Sequence, residues 1–550
     1  MKKFEHPYKY APSYQTRVAY FSMEYGIDQA LKIFSGGLGF LAGSHMRSAY
    51  DLKQNLIGIG ILWKFGYYDQ ERKRDQGMDV LFMERYYNFL QDTGIVFDIS
   101  VDRHPVKVKA WYLAPEVFGT VPMYFLSTDL PENDYLAQTI CHRLYDSDTA
   151  AKIAQYILLG QGGMKLLDLL KYKPDKIHLN EAHGSPAIFY DFYSHKSIQE
   201  LRNKFVFTTH TPVPAGNEVH DILFLKKMGF FHDSPLEEIR EITHEFSDHY
   251  NLTLGALRLS GRANGVSKLH GEVARTMWGG YQEVCTIDHI TNAQHAGYWT
   301  DPQLKHQLEA EDLEALAERK TALKKKLFKE VADQTGKIFD EKTLTIVWAR
   351  RFAPYKRADL LTWDVEAFDK LINDMQMPVQ IIWAGKPYPM DYGAISIFNK
   401  LVEITKPLKN AAVLVHYELA LSKLLKQGAD IWLNTPRVTR EASGTSGMTA
   451  AMNATLNFTT NDGWIPEFAE HKHNAFVIPV ADPNKSIEEQ DREDLQNAYA
   501  ILNKEIKPLY YLNKIQWMKM IQNSMNEVVP FFDSGRMAEE YYKKLYANSQ

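Results

Sequence analysis

Four basic residues follow one apolar, β-branched segment of the sequence. Residues 343–349 lead into Arg350, Arg351, Lys356 and Arg357. Unpaired cations are costly in a protein core. Arginine instead offers a bidentate fork, and lysine a point charge, to phosphate oxygens. The pattern predicts a phosphate or diphosphate site at the end of a strand, with a solvated surface as the alternative.

A second segment places small and polar residues before a helical pattern. Residues 431–434 form an apolar run, Glu441 follows, and residues 443–446 are all small. The first N–H groups of a helix have no partner within it and attract anions. The segment predicts a second anion-accepting position, where Glu441 would accept hydrogen bonds from a polyol.

The first half of the chain carries similar signals. Gly36 and Gly37 open a helical pattern, Asn180 and His183 follow residues 176–179, and His210 follows residues 204–208. Glycine lets the backbone approach a ligand closely, and histidine supplies a donor or an acceptor. A tight turn and two structural histidines explain the same residues, so both interpretations stay open here.

Several other chemistries do not fit the spacing. Gly37-x-Gly39 is not followed by a dinucleotide-binding glycine, and no Gly-Lys-Ser/Thr of a P-loop is present. His244 and His249 are five residues apart, one too many for a helical zinc pair, and the sequence predicts no metal site. No Gly-x-Ser-x-Gly nucleophile motif occurs.

Composition narrows the class of protein. The 63 Lys plus Arg against 68 Asp plus Glu give a net charge of −5, which argues against a basic nucleic-acid binder. Two cysteines cannot form a disulfide framework. Neither an 18-residue apolar run nor an apolar stretch behind the first residues is present, so we expect a cytoplasmic protein with no membrane and no nucleic-acid partner.

The elements that must position these residues are short apolar strands separated by helix-length segments. The predicted strands are residues 17–24, 56–65, 121–127, 176–180, 204–208, 343–349, 379–384, 411–416, 431–434 and 475–480. Such alternation is typical of parallel sheets covered on both faces. We therefore expect an α/β fold with two doubly wound, Rossmann-like domains facing a central cleft, where ligands meet the strand ends.

We predict two domains and a C-terminal segment. Residues 1–285 form an N-terminal domain, and residues 286–510 form a C-terminal domain that carries the predicted phosphate site. Residues 511–550 form a helical segment that packs back across the junction. Residues 300–336 predict a long surface helix whose run of three lysines is solvated.

Taken together, these segments resemble the α-glucan (glycogen, starch and maltodextrin) phosphorylases, particularly their compact bacterial form. The matching segments are residues 20–24, 36–39, 179–181, 210–211, 264–266, 290–292, 350–351, 355–357 and 441–448. They occur in the order of the family and span most of the chain. The resemblance implies a glycosyltransferase of GT-B type that transfers glucose, with retention, from an α-1,4-glucan end to phosphate and gives glucose 1-phosphate. It also implies a possible homodimer.

The resemblance assigns roles to individual positions. His210, Arg351, Lys356 and Glu441 would be catalytic. The substrate would be held by Asn180, His183, Asn292, Tyr355, Ser443 and Gly444. Phosphate and cofactor would be held by Gly36, Gly37, Arg350, Trp299, Tyr417, Thr445, Ser446 and Thr449. These are the positions that match the motifs of the family.

One of those positions departs from the family. The lysine that forms a Schiff base with pyridoxal phosphate is replaced here by Thr449, which has no amine. The resemblance thus implies pyridoxal phosphate that is absent or bound non-covalently. Two alternatives follow: a glycogen-synthase-like transferase that uses a nucleotide sugar, and a non-catalytic glucan-binding relative.

Overall fold

The computed structural model describes residues 3–547 and divides into two compact units. Of the described residues, unit 1 contains 3–68, 82–292 and 534–547, and unit 2 contains 69–81 and 293–533.

The strands, in chain order, are β1 (Val18–Phe21), β2 (Leu56–Ile61), β3 (Asp69–Arg72), β4 (Met78–Leu81), β5 (Gln91–Val101), β6 (His104–Leu113), β7 (Met123–Ser127), β8 (Lys176–Asn180), β9 (Phe205–Thr208), β10 (Val219–Asp221), β11 (His249–Asn251), β12 (Arg262–Gly265), β13 (Thr286–His289), β14 (Leu344–Ala349), β15 (Val379–Ala384), β16 (Ala411–Leu414), β17 (Ile431–Asn434), β18 (Leu456–Thr460) and β19 (Ala475–Ile478).

The helices are α1 (Gly37–Asp51), α2 (Pro115–Phe118), α3 (Tyr135–Thr139), α4 (Thr149–Ile157), α5 (Gly163–Leu169), α6 (Pro186–His195), α7 (Ile198–Lys204), α8 (Ile222–Met228), α9 (Leu236–Thr243), α10 (Leu252–Leu259), α11 (Lys268–Trp278), α12 (Ala296–Trp299), α13 (Pro302–Glu309), α14 (Leu313–Thr335), α15 (Val365–Ile372), α16 (Tyr392–Thr405), α17 (Leu419–Gly428), α18 (Ser446–Ala451), α19 (Ile487–Ile501), α20 (Lys507–Leu512), α21 (Lys514–Phe532) and α22 (Ser534–Glu540).

Unit 1 is built on a nine-stranded sheet in the order β13-β12-β9-β8-β1-β2-β7-β6-β5. Only β6 pairs antiparallel, with β5 and with β7. The central strands β1 and β2 are buried along their whole length, as expected for strands covered on both faces. The strand order reverses between β1 and β8, so the carboxyl ends of these two strands form the ligand-accepting edge of the sheet.

Unit 2 is built on a six-stranded, entirely parallel sheet in the order β16-β15-β14-β17-β18-β19. Numbered by chain position, this is the doubly wound order 3-2-1-4-5-6, which reverses between β14 and β17. Two large, predominantly parallel sheets with intervening helices confirm the predicted α/β class with two Rossmann-like domains.

The units alternate along the chain. The hairpin of β3 and β4 belongs to unit 2, and the chain enters unit 2 again after Asn292 and leaves it after Asp533. Helix α22 packs on α1 of unit 1, where Ser48 Oγ and Ser534 Oγ lie 2.6 Å apart. The domain boundaries predicted from the sequence, at residues 285 and 510, remain predictions.

The segment expected to be one long surface helix is two helices, α13 and α14, and it is partly buried. Lys324, the first of the three consecutive lysines, is 2 % exposed, and its Nζ lies 2.6 Å from Asp430 Oδ2. The expectation of a solvated lysine run is therefore wrong for Lys324, because this face of α14 covers the sheet.

Candidate functional site

The reversal point of the unit 2 sheet carries a buried cation. Arg350 directly follows β14, and its guanidinium donates to Asn434 Oδ1 at the end of the neighbouring strand β17. A second, longer bond of 3.4 Å runs from Nη2 to the Leu433 carbonyl. Nε is buried and has no hydrogen-bond partner among the described residues. The parallel strands thus bring two predicted strand-end segments together. The Arg350 guanidinium keeps an N–H donor, at Nε, for a ligand.

Lys356 and Glu441 form an ion pair beside this cation. Lys356 lies in a single helical turn, residues 354–356, and its ammonium is also 4.9 Å from the Tyr355 ring centroid. Burial by itself would raise the pKa of Glu441, but Lys356 and Arg350 together lower it below its ordinary value. Glu441 therefore stays an acceptor-only carboxylate at neutral pH.

Arg357 differs from the other three cations. It is 1 % exposed, and its Nη1 and Nη2 lie 2.8 and 2.7 Å from Asp491 and Asp494. Its Nε donates to the Thr435 carbonyl at 2.8 Å. Every nitrogen of the Arg357 guanidinium thus donates to a protein acceptor, so the predicted anion-binding group of four cations is reduced to Arg350, Arg351 and Lys356.

The small residues after Glu441 form a loop and the short helix α18. Gly444 has a φ of +84°, a conformation that favours glycine. The buried Ser443 Oγ has no hydrogen-bond partner among the described residues. Ser446 Oγ accepts a bond of 3.2 Å from Trp432 Nε1, while Thr445 is half-buried beside it. The loop therefore places the predicted residues Ser443 to Ser446 together, shortly after Glu441 in the sequence.

Thr449, the position without an amine, is fully buried in α18. Its hydroxyl donates to the Ser446 carbonyl at 3.1 Å. Asn453 Nδ2 donates to the carbonyls of both Thr449 and Trp299, at 2.7 and 3.0 Å. This bridge brings Thr449 and Trp299, two residues predicted to surround a cofactor, to one location.

The indole of Trp299 faces a lysine that sequence reasoning did not include. Lys426 Nζ lies 3.9 Å from the ring centroid, and the Lys426 side chain is 1 % exposed. Burial, and secondarily the positive charges of Arg350 and Lys423, hold the pKa of Lys426 well below its ordinary value. Tyr417 is also buried here, and its hydroxyl donates to the Ala349 carbonyl at 3.2 Å.

The reversal point of the unit 1 sheet joins two other predicted residues, Asn180 and His210. Asn180 Oδ1 accepts a bond of 2.7 Å from His210 Nε2, and Asn180 Nδ2 donates to Ser22 Oγ at 3.1 Å. Burial, with His270 and His183 nearby, lowers the pKa of His210 to about 3. A neutral imidazole next to an amide is suited to hydrogen-bonding sugar hydroxyls.

Glu181 is a further polar group of this edge that the sequence-based site omits. Its Oε2 accepts hydrogen bonds of 3.2 Å from the His210 N–H and the Thr211 hydroxyl, while the buried Oε1 has no partner among the described residues. Burial raises the pKa of Glu181 to about 7. The residue also has a φ of +70°. Its position between Asn180 and His183 was the available sequence signal.

His183 lies on the same side but is held by rings. The Tyr156 and Tyr145 ring centroids are 5.2 and 5.8 Å away, and burial lowers the pKa of His183 to about 4. The Nδ1 atom has no hydrogen-bond partner among the residues that the structure describes. Asn292 is 4 % exposed, and its Oδ1 is likewise unpaired within that part of the chain.

The glycine loop before α1 is organised by an internal carboxylate. Glu24 Oε2 accepts from the backbone N–H groups of Ser35 and Gly36, at 2.6 and 3.2 Å. A Cβ atom built on Gly36 or on Gly37 would meet nothing within 4 Å, whereas one on Gly39 would lie 2.6 Å from Glu24 Oε2. Gly39 is therefore needed for packing, and Gly36 and Gly37 leave open space for a ligand.

Within residues 3–547, no group of three or more histidine, cysteine, aspartate or glutamate side chains is arranged to hold a metal ion. Over the same residues, every helix is either too short or too polar to span a lipid bilayer.

Comparison with known proteins shows the family to which the chain belongs. A family model described as "Phosphorylase: Carbohydrate phosphorylase" matches residues 290–547. An uncharacterised protein of Methanocaldococcus jannaschii is 45 % identical over 96 % of this chain and 99 % of its own. A maltodextrin phosphorylase of Thermococcus litoralis is 34 % identical over 98 % and 71 %, and a glycogen phosphorylase of Mycobacterium tuberculosis is 30 % identical over the same shares. The chain belongs to the carbohydrate phosphorylase family.

Proposed function

We propose that this protein is an α-glucan phosphorylase, which transfers glucose reversibly and with retention from the end of an α-1,4-glucan to phosphate. The product is glucose 1-phosphate. The names of the relatives favour phosphate as the acceptor over a nucleotide-sugar donor and over a binding-only role.

The observation that carries the proposal is the group of cations at the reversal point of the unit 2 sheet. Arg350 has an unpaired Nε, Arg351 is exposed, and Lys356 carries three donors, one of which goes to Glu441. A glucan-binding protein without turnover needs no such cluster. A tetrahedral oxyanion is the ligand that arginine and lysine at a strand end bind best.

The chemistry needs fixed positive charge more than a pair of carboxylates. Breaking the glucosidic bond leaves an oxocarbenium-like sugar next to an anionic oxygen, and prearranged donors stabilise that separation of charge. Arg351 and Lys356 would bind the phosphate. Glu441 would accept hydrogen bonds from sugar hydroxyls, and the neutral His210 with Asn180 would orient the glucose.

Pyridoxal phosphate, which the resemblance implies, fits the residues of unit 2. The buried Arg350 Nε has no partner among the described residues and is a donor for a phosphate group, and Trp299 and Tyr417 are buried aromatic side chains that can line the ring. Arg350, Thr445 and Ser446 would hold the phosphate, and Trp299, Tyr417 and Thr449 would surround the ring. When bound, the group would supply a phosphate that serves as an electrostatic partner or proton relay in the transfer.

The test is phosphorolysis of maltodextrin. Full-length protein supplied with pyridoxal 5′-phosphate, maltodextrin and inorganic phosphate is expected to release glucose 1-phosphate, and Arg351→Ala is the matched variant with lowered rate. Release of no glucose 1-phosphate, together with glucosyl transfer from UDP- or ADP-glucose, would overturn the proposal in favour of a nucleotide-sugar enzyme. Glucan binding without turnover of either donor would overturn it in favour of a binding protein.

A further inference from the structure

Lys426 is a buried lysine of unit 2 that faces an aromatic side chain. It lies near the end of α17, 1 % exposed, with Nζ over the face of Trp299. Burial disfavours the protonated form of this amine, and the positive charges of Arg350 and Lys423 act in the same direction.

Lys426 is also part of the location that contains Thr449. Thr455 Oγ1 donates to the Lys426 carbonyl at 2.7 Å, and Asn453 bridges Thr449 to Trp299, the residue that Lys426 contacts. Helices α17 and α18 therefore meet at one set of contacts. The primary amine that position 449 lacks is therefore present on the adjoining helix.

We propose that Lys426 is the amine that binds pyridoxal phosphate covalently, in place of the lysine absent at position 449. The inference rests on the proposed function, because that function supplies the reason for the cofactor. The Nζ lone pair adds to the aldehyde carbon of the cofactor and forms the C–N bond. Two protons from nitrogen pass to the carbonyl oxygen, which leaves as water, and a C=N bond remains.

The environment favours this reaction. Imine formation requires the neutral amine, and a buried lysine near other cations holds less of the charged form at neutral pH. Trp299 provides a flat apolar surface beside the amine, and the Arg350 guanidinium provides a partner for the cofactor phosphate.

Lys320 is the rival amine in this region. It is 6 % exposed, and burial lowers its pKa to about 7. Its Nζ donates to the Asn453 carbonyl at 2.8 Å and to Thr455 Oγ1 at 2.7 Å. Those bonds tie Lys320 to the loop after α18, whereas Lys426 faces the indole, so the label is expected on Lys426.

The test is direct mapping of the modified lysine. Full-length protein is incubated with pyridoxal 5′-phosphate, reduced with borohydride and digested, and the phosphopyridoxyl-lysine is located by mass spectrometry. We expect the label on Lys426. The Lys426→Arg and Lys426→Met variants should lose it to background together with the absorbance band of the bound cofactor. Lys423→Arg, one turn away on the same helix, should keep both.

Three results would overturn the inference: label on Lys320, label spread over exposed lysines, and labelling unaffected by Lys426→Met. The mapping on the unmodified protein does not depend on whether a variant folds, and Lys426→Arg keeps the charge if Lys426→Met does not fold. Failure of the proposed function is separate, because it would appear as a labelled Lys426 in a protein that releases no glucose 1-phosphate. Phosphorolysis by a protein that is unlabelled at Lys426 would overturn the inference about Lys426 but not the proposed function.

Discussion

His210 and Asn180 are joined by a hydrogen bond of 2.7 Å between Nε2 and Oδ1, across the ends of β9 and β8. Replacing either residue by alanine should lower kcat/KM for maltodextrin. The double variant should lose less than the sum, with a coupling of about 0.5–3 kcal/mol, because the two side chains act as one unit. Steady-state kinetics on the four proteins measure the coupling. Strict additivity would show that the bond does not orient the sugar.

Arg351 and Arg357 should give opposite results although both belong to the same cationic segment. Arg351→Ala should raise KM for phosphate about tenfold or more, since a charged hydrogen bond is worth about 1.5–3 kcal/mol, with the melting temperature nearly unchanged. Arg357→Met should destabilise the fold by about 3–5 kcal/mol, because it leaves Asp491 and Asp494 buried without their partner. Urea unfolding and phosphate titrations separate the two effects. A destabilised Arg351→Ala would contradict the assignment.

Substitutions at Gly37 and Gly39 should have different effects, because Gly37 is expected to contact phosphate and Gly39 is needed for packing. Gly39→Ala places a Cβ 2.8 Å from Phe34 Cβ and 2.6 Å from Glu24 Oε2, and should cost about 1–3 kcal/mol of stability. Gly37→Ala meets nothing within 4 Å, so its unfolding curve should match the parent while its phosphate KM rises. Denaturant unfolding and initial rates measure these outcomes. An unchanged KM in Gly37→Ala would remove Gly37 from the site.

Glu181 should make stability depend on pH. Its pKa rises from an ordinary value of 4.5 to about 7 in the fold, so the folded state holds a proton that the unfolded state has lost between these values. Stability should fall as pH rises through that window, by at most about 3 kcal/mol, and level off above it. In Glu181→Gln this decline should be absent, while both proteins behave alike near pH 4. Thermal melts from pH 4 to 8.5 provide the comparison, and parallel curves would count against the raised pKa.

Most of the parallel strands were predictable because their residues are mainly apolar. All ten predicted segments contain strands of the two large sheets, among them the four beside the reversal points. The pair β5 and β6 was missed because only alternate residues of β5 are buried, so it has no continuous apolar run. Strand β12 was missed because Arg262–Gly265 is short and ends in glycine, and only pairing with β9 and β13 defines it.

The candidate site was predictable to the extent that it lies at strand ends. Arg350 meets Asn434, and Asn180 meets His210, because the sheet order places those ends side by side. Arg357 could not be distinguished from Arg351, since its acidic partners are more than 130 positions away in the sequence. In the sequence, Lys426 could not be distinguished from other lysines of the same helix, such as Lys423. Its burial depends on how α17 packs, which no local pattern encodes.

The return of the chain through α22 has a consequence for biosynthesis. A nascent chain that has passed residue 292 already contains every strand of the nine-stranded sheet, but it lacks Ser534 against Ser48 and Tyr546, whose hydroxyl lies 2.7 Å from His178 Nδ1. The earliest-translated unit thus acquires its last contacts only after the whole of unit 2 has been synthesised.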